Sequence, residues 1–506
     1  MMRSSRTLAS LLSCLALTVG TAACRSPEPS APDAGTEVET GAGVLPGVTG
    51  QRALLHLTNT GEVRLPVDLS AAPPRALVLE GGTFVTYEGV GRADGTFVIP
   101  HVPAGPYYLS VDPASFVVTD AREVELSSGT HGRPRAATLP AGVGVATVVF
   151  ELGNLHPYES TDGITLFSSN VNVARYRLTP SAASKATLGA FTYTVRAGQP
   201  LIDPGLGDRV LLTQLSSRTA PLEDSGGTVA YRSVSRAFEA PAFKPRPGEP
   251  QTISGTMAEP PPLTASLHWE LAAYRNLVTA VHPRATVAGQ LLVFDVLPTP
   301  RSYGYLSLVP RLVELLEPPA VDELRTTLTY ANPYPASWTP IGLTESRYQV
   351  AYQLPGTKSP ATLSGVLSST DTLPEFLSKP VAPAFGPVRQ PRIEGMDAWQ
   401  PVALTTLTPE LSWTAPDVLR DTRCNYTVFI HQLSAQGSAT VSRFVGSVRT
   451  NDTRVRLPPG LLSPGGSYVF VFDANTTPGN DILQQAVRLP IPLTSAQTLS
   501  EVVTVR

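Results

Sequence analysis

Seven histidines are spread along the chain (His56, His101, His131, His156, His268, His282 and His431), and the closest two stand fourteen positions apart. A zinc hydrolase gathers its imidazoles on one helix or hairpin, as in His-Glu-x-x-His, so this scatter offers no metal centre by spacing. The Gly-x-Ser-x-Gly elbow of α/β hydrolases does not occur. Cys424 and His431 flank one expected strand, where an odd separation of seven sends them to opposite faces. They read as a structural thiol and a surface imidazole rather than a nucleophile and its base. Asp473, Asn475 and Asp481 look like a calcium loop but lack its spacing and its glutamate. They are better read as a hairpin tip in which Asn475 and Gly479 serve the turn. Among 41 acids nothing singles out a carboxylate pair for glycoside cleavage. No catalytic residue, metal or cofactor is expected.

One cluster could make contacts rather than bonds. Tyr330, Tyr334 and Trp338 share a turn-rich segment with Asn332, Pro333 and Pro335. Aromatic loops can stack on sugars, and such rings are enriched at protein interfaces. The competing and favoured reading is a loop that folds back to bury Trp338.

The amino terminus says where such a surface would be displayed. Arg3 and Arg6 precede an apolar run from Leu8 to Val19, and Thr21-Ala22-Ala23-Cys24 closes the segment. That order is a secretory signal, and its apolar run is too short to span a bilayer. With its terminal cysteine it resembles a bacterial lipoprotein signal, which implies diacylation of Cys24 as the first residue of the mature chain. Thr21 stands where such signals usually carry Leu, which leaves ordinary signal-peptidase cleavage as the alternative. Arg25, where inner-membrane retention signals often carry Asp, favours the outer membrane. Of three cysteines, Cys14 leaves with the signal and Cys24 would be acylated, so Cys424 remains alone and no intrachain disulfide forms.

The elements behind these residues are strands. Five hundred residues exceed what one core serves. Apolar content of 42% with only 16% charge and 50 prolines suits short strands joined by turns. The expected fold is mostly β: tandem β-sandwich modules, with at most one or two short helices in the central region. A net charge of −3 gives no electrostatic case for nucleic acid. The layout reads as a signal (1–23), a disordered Pro/Ala/Gly tether (24–46), a first sandwich (47–140), a β-rich centre (141–400) and a final sandwich (401–506). The centre is one large or two smaller domains, with a break near 241–262 if that Pro-rich stretch is a linker rather than an edge loop. After it, Leu267, Leu271, Tyr274, Val278 and Val281 recur at helical spacing ahead of Pro283, which predicts one short helix.

Two modules carry recognisable patterns. Asp94-Gly95 turns into a strand with Phe97 and Ile99 on one face; Pro103-Ala104-Gly105 turns again; Tyr107, Leu109 and Val111 then alternate inward. This resembles the carboxypeptidase-regulatory-like, transthyretin-like sandwich, closely over about twenty residues and loosely over about sixty, without that family's usual opening strand. At the other end Trp413, the run Tyr426 to Ile430, and Tyr468, Phe470 and Phe472 succeed one another. This resembles a fibronectin type III domain, which implies a tryptophan buried between sheets (Trp413) and a corner tyrosine bonded back to the preceding loop (Tyr468).

Together these readings point to a non-enzymatic, lipid-anchored envelope scaffold. Its expected partners are the membrane, through the N-terminal lipid, and a protein or a glycan. The alternatives are a hydrolase or hydrolase accessory with its site in 141–400, promoted by a cleft with a perturbed titrating pair, and a purely structural envelope spacer.

Overall fold

The computed structural model describes residues 47–506 except 59, 160, 176–177, 181–186, 225, 287–289, 301–309, 418–423, 479–480, 482–483, 486 and 488–489. The chain divides into Met1–Val44 and Leu45–Arg506. The signal, Cys24 and the tether lie outside the described residues. Among those described no helix is long and apolar enough to cross a membrane.

The rest is mostly β, built as sandwiches. In the first, a sheet of Val48–Gln51, Val90–Gly91, Thr96–Ile99 and Glu123–Glu125 shares a core with Ala76–Glu80, Thr83–Tyr87, Tyr107–Asp112 and Ser115–Thr119. Phe97, Ile99, Tyr107 and Leu109 fill that core. Asp94 Oδ1 shapes the turn by accepting from the Thr96 amide at 2.9 Å. The Tyr107 hydroxyl donates to the Ala121 carbonyl at 2.5 Å, and Arg122 lies over its ring.

The centre is two cores sharing strands. Leu188–Val195, Ala146–Gly153 and Gln251–Thr256 form one layer against Gly163–Ser168, Leu211–Pro221 and Thr228–Glu239. Gln251–Thr256 pairs parallel with Ala146–Gly153, so the stretch near 241–262 supplies an edge strand and is no linker. Gly163–Ser168 is buried on both faces: Ile164 and Leu166 enter the first core, Phe167 the second. The second core lies between the antiparallel strands Pro262–Glu270 and Glu323–Ala331 and a sheet containing Val313–Leu316, Gln290–Thr299, Thr339–Tyr352 and Ala361–Thr372.

The helix expected from 267 to 281 is shorter and broken. Leu267 and Trp269 alternate into the core as part of strand Pro262–Glu270, and the helical residues are only Leu271–Arg275 and Val278–Val281. Strand pairing with Glu323–Ala331 satisfies the backbone through Glu270 and overrides the local 3–4 spacing. A third one-turn helix, Leu373–Leu377, has no periodic run to announce it.

In the last sandwich Arg389–Ile393, Glu410–Thr414 and Arg454–Arg456 oppose a sheet of Ala439–Thr450, Asn425–Gln436, Ser467–Thr476 and Leu493–Leu499. That sheet continues into its neighbours on both sides. Leu493–Leu499 pairs antiparallel with Ala361–Thr372 of the centre, from Leu367↔Ala496 to Thr370↔Leu493. Ala439–Thr450 pairs parallel with Ser115–Thr119 of the first sandwich, from Ser447↔Ser115 to Arg449↔Val117. Leu77, Tyr108 and Phe116, facing away from their own core, join the core of the last module, as do Tyr348, Tyr352 and Val388 of the centre.

Candidate functional site

The predicted site residues are mostly absorbed into packing. Tyr330 and Tyr334 are buried and Trp338 is half-buried. Tyr334 stacks on Trp338 at 5.2 Å, and Phe167 meets both rings edge-on at 6.1 Å. Those rings close one side of the central core instead of offering flat faces to a sugar. Trp413 is buried between the sheets of the last module, edge-on to Tyr426 and Phe472 at 5.2 and 5.6 Å. The Tyr468 hydroxyl accepts from the Ser463 amide at 2.8 Å, a bond back to the preceding loop.

Cys424 and His431 do not meet. Burial pushes the Cys424 thiol up to about 12, with Asp473 adding to it, so no thiolate is available near neutrality. His431 sits beside Ser442 and the Phe444 ring, and burial pulls its imidazole down. The calcium-like group also resolves differently from the expected hairpin tip. Asp473 and Asn475 lie inside strand Ser467–Thr476 and are buried; Gly479 is outside the described residues. Asn475 Nδ2 donates to Asp473 Oδ2 at 2.8 Å, and Ser495 Oγ donates to Oδ1. Burial pushes the Asp473 carboxyl up to about 6 in spite of these donors and of Arg449. Among the described residues no group of three His, Cys, Asp or Glu could hold a metal.

Sequence inspection missed two polar arrangements. The first crosses the central sheet, where register sets Arg232, Glu314 and Asp295 side by side on adjacent strands. Arg311 Nε reaches Asp295 Oδ2 at 2.7 Å and its Nη1 reaches Glu314 Oε1 at 3.3 Å; Arg232 pairs with Glu314. Asp295 is wholly buried, and burial pushes its carboxyl above the usual range against the pull of Arg311. Its other oxygen, Oδ1, has no partner among the described residues. No local spacing announces this set, because its members come from separate strands.

The second is a groove of about 600 Å³ on the first sandwich. Its floor is the outer face of three strands, where pairing aligns Glu123, Thr49 and Val98 in one row and Glu125, Gln51 and Thr96 in the next. The last module supplies a wall. Val487 packs against the first core, and the Gln484 carbonyl accepts from the Glu125 amide at 2.7 Å. The alternation Glu123-Val124-Glu125, polar out and apolar in, was a signal available in the sequence.

No family model and no curated protein matches the sequence. Among solved structures, a mutant Salmonella alpha-2-macroglobulin aligns at 8% identity over 84% of this chain and 27% of its own, with a TM-score of 0.13. The native conformation of E. coli alpha-2-macroglobulin aligns at 8% identity over 84% and 26%, also with a TM-score of 0.13. The chain spans about a quarter of the length of either, and likeness at that level carries no argument about fold or function.

Proposed function

We propose that this chain is a non-enzymatic, lipid-anchored envelope scaffold that holds β-sandwich modules in fixed register and displays them to a protein or glycan. One observation carries the reading: the sheet of the last module is hydrogen-bonded into the module on each side of it. Strands paired across a junction share backbone bonds and side-chain contacts, so the modules move together rather than swinging on a linker. The anchor is Cys24, by its place at the end of a lipoprotein-like signal, and the outer membrane is the proposed site. The first and last modules are proposed as carboxypeptidase-regulatory-like and fibronectin type III-like. The second assignment is supported by the buried Trp413 and by the Tyr468 bond to Ser463.

Two measurements test it. Mass spectrometry of the N-terminal peptide is expected to find a diacylglycerol on Cys24, with Cys24→Ala released from membranes. Limited proteolysis is expected to leave one resistant fragment from about residue 47 onward. An unmodified Cys24, or stepwise release of separate modules, overturns the corresponding half. A second reading, a hydrolase of the central sheet, is favoured only by the buried, half-partnered Asp295. Turnover of a chromogenic ester or glycoside that disappears in Asp295→Asn would establish it, and inertness of the native chain toward the panel would remove it.

A further inference from the structure

We propose that the groove on the first sandwich binds a neutral oligosaccharide. The inference rests on the scaffold reading and names the ligand that one of its surfaces takes. At about 600 Å³ the groove falls within the roughly 300–1,000 Å³ typical of ligand sites. It is built by two modules, so it exists only where the Gln484–Gln485 segment is docked on the outer strand Glu123–Glu125.

The donor and acceptor inventory selects the ligand. Glu125 is already committed, accepting from Gln51 Nε2 at 2.9 Å and from Arg64 at 3.0 Å. Glu123 is exposed, and no hydrogen bond or ion pair engages its carboxylate among the described residues. The Gln484 and Gln485 side-chain amides are likewise uncommitted there, and each offers both an acceptor and donors. Arg92 gives Nη1 to Thr96 Oγ1 at 3.3 Å and keeps further donors for the groove. A hydroxyl donates and accepts at once, so a polyhydroxylated chain can satisfy Glu123, the amides and Arg92 together. A polyanion would face the Glu123 carboxylate, and an apolar ligand would leave these groups unpaired at a cost.

An extended peptide fits less well. Strand addition needs a free sheet edge, and here Val48–Gln51 is paired on both sides, to Glu123–Glu125 and to Thr96–Ile99. The Glu125 amide is taken by Gln484. On the outer strand Glu123–Glu125 the docked Gln484 thus occupies the edge beside Glu125, and over Val48–Gln51 the groove offers side chains above paired backbone.

The test is calorimetric titration of the full lipoprotein in detergent micelles. The probes are maltotriose, cellotriose, xylotriose and chitotriose, with a trigalacturonate and an alanine–lysine peptide for comparison. Saturable binding of at least one neutral trisaccharide is expected, with a dissociation constant below about 1 mM. Glu123→Gln and Arg92→Ala should each weaken it about tenfold, while Met396→Ala, an exposed residue of the last module, leaves it unchanged. All three variants change exposed or half-buried side chains, and an unaltered thermal midpoint confirms that they fold. Failure of every neutral probe to saturate, equal binding of trigalacturonate or peptide, or indifference to both groove variants overturns the assignment. Such a failure in a protein that still carries its lipid and yields one resistant fragment removes the groove and leaves the scaffold standing. Loss of the single fragment removes the scaffold reading instead.

Discussion

The last module is fastened to the centre by one seam and to the first sandwich by another, and the two are made differently. Toward the centre, Leu493–Leu499 is an interior strand, antiparallel to Ala361–Thr372 on one side and to Ser467–Thr476 on the other. Side chains reinforce it. Gln497 Oε1 accepts from the Val366 amide at 3.1 Å, Thr498 donates to the Ala280 carbonyl at 2.6 Å, and the Tyr352 hydroxyl donates to the Ser500 carbonyl at 2.9 Å. Arg284 clasps Glu501 at 2.5 Å and covers the Tyr352 ring. Toward the first sandwich the contact is a short parallel pairing of two outer strands. Its supports are the Ser447 amide to the Ala114 carbonyl at 3.0 Å and the Arg456 amide to the Tyr108 hydroxyl at 3.3 Å. Parallel pairing is slightly weaker per residue, and this one is shorter. When the molecule opens, it should open there first.

The seams also differ in their buried ionisable groups. His282 lies behind the central seam, its Nδ1 accepting from the Arg284 amide and its Nε2 3.7 Å from Glu501. Burial pulls it down to about 4, with Arg284 contributing and Glu501 opposing. Near the other seam, Arg449 feels both Asp112 of the first sandwich and Asp473 of the last. Burial disfavours the charged forms of both Arg449 and Asp473.

The largest expected effect undermines both seams together. Trp413→Ala should cost about 3–5 kcal/mol, as for other buried large-to-small changes. Calorimetry should then show the first sandwich and the centre destabilised along with the last module; an effect confined to one module would break the continuity argument.

Titration separates His282 from Asp473 by sign. The folded pKa of His282 lies below its unfolded value of 6.5, so its contribution is full above pH 6.5 and is lost as pH falls through about 4. Asp473 is raised from 3.8 to about 6, so its contribution is full below pH 3.8 and is lost as pH rises through about 6. Each is worth at most on the order of 3 kcal/mol. Asp473→Asn should raise the unfolding midpoint at pH 8, leave it nearly unchanged at pH 4, and flatten the slope between. His282→Gln should flatten the acid limb instead. Melting curves across pH 4–8 that keep the native slopes in either variant would contradict the assignment.

Two glycines sharpen the contrast at smaller cost. A Cβ on Gly365 would come within 2.2 Å of Val281 Cγ1 and 2.6 Å of Leu499 Cδ1; one on Gly446 would come within 2.4 Å of the Ala114 carbonyl oxygen. Alanine at either site should cost about 1–3 kcal/mol through overpacking. Gly365→Ala is expected to lower the main transition. Gly446→Ala is expected to release the first sandwich in a separate, earlier one, read by proteolysis and calorimetry together. The smallest effect is Tyr108→Phe, which removes one hydrogen bond at the weaker seam and should cost about 1 kcal/mol.

Strand-level reading of the sequence carries far here because the alternation is local. Phe97 with Ile99, Tyr107 with Leu109, and Tyr468 with Phe470 and Phe472 could be assigned to a buried face from period two alone, and each is buried. The same logic could not foresee Tyr108 and Phe116, whose parity points away from their own core and which are buried by another module. It also misjudged 267–270, where a distant partner strand outweighs a helical spacing, and placed Asp473 and Asn475 at a tip when they lie buried within strand Ser467–Thr476. The groove was half legible. Glu123 and Glu125 show their outward face in the alternation, while Gln484 and Gln485 lie some 360 residues further on and reach them only through the docking of Val487.

The sequence by itself therefore determined the strand-rich class and the inward faces of the two end modules, because these depend on residue type and on neighbours one or two positions away. Tertiary structure alone decided which sheet edges join, which outward faces become interior, and which carboxyl is pushed up or imidazole pulled down by burial. Those outcomes depend on strand pairings that bring together residues as distant as Ser115 and Ser447, whose contact no local pattern encodes.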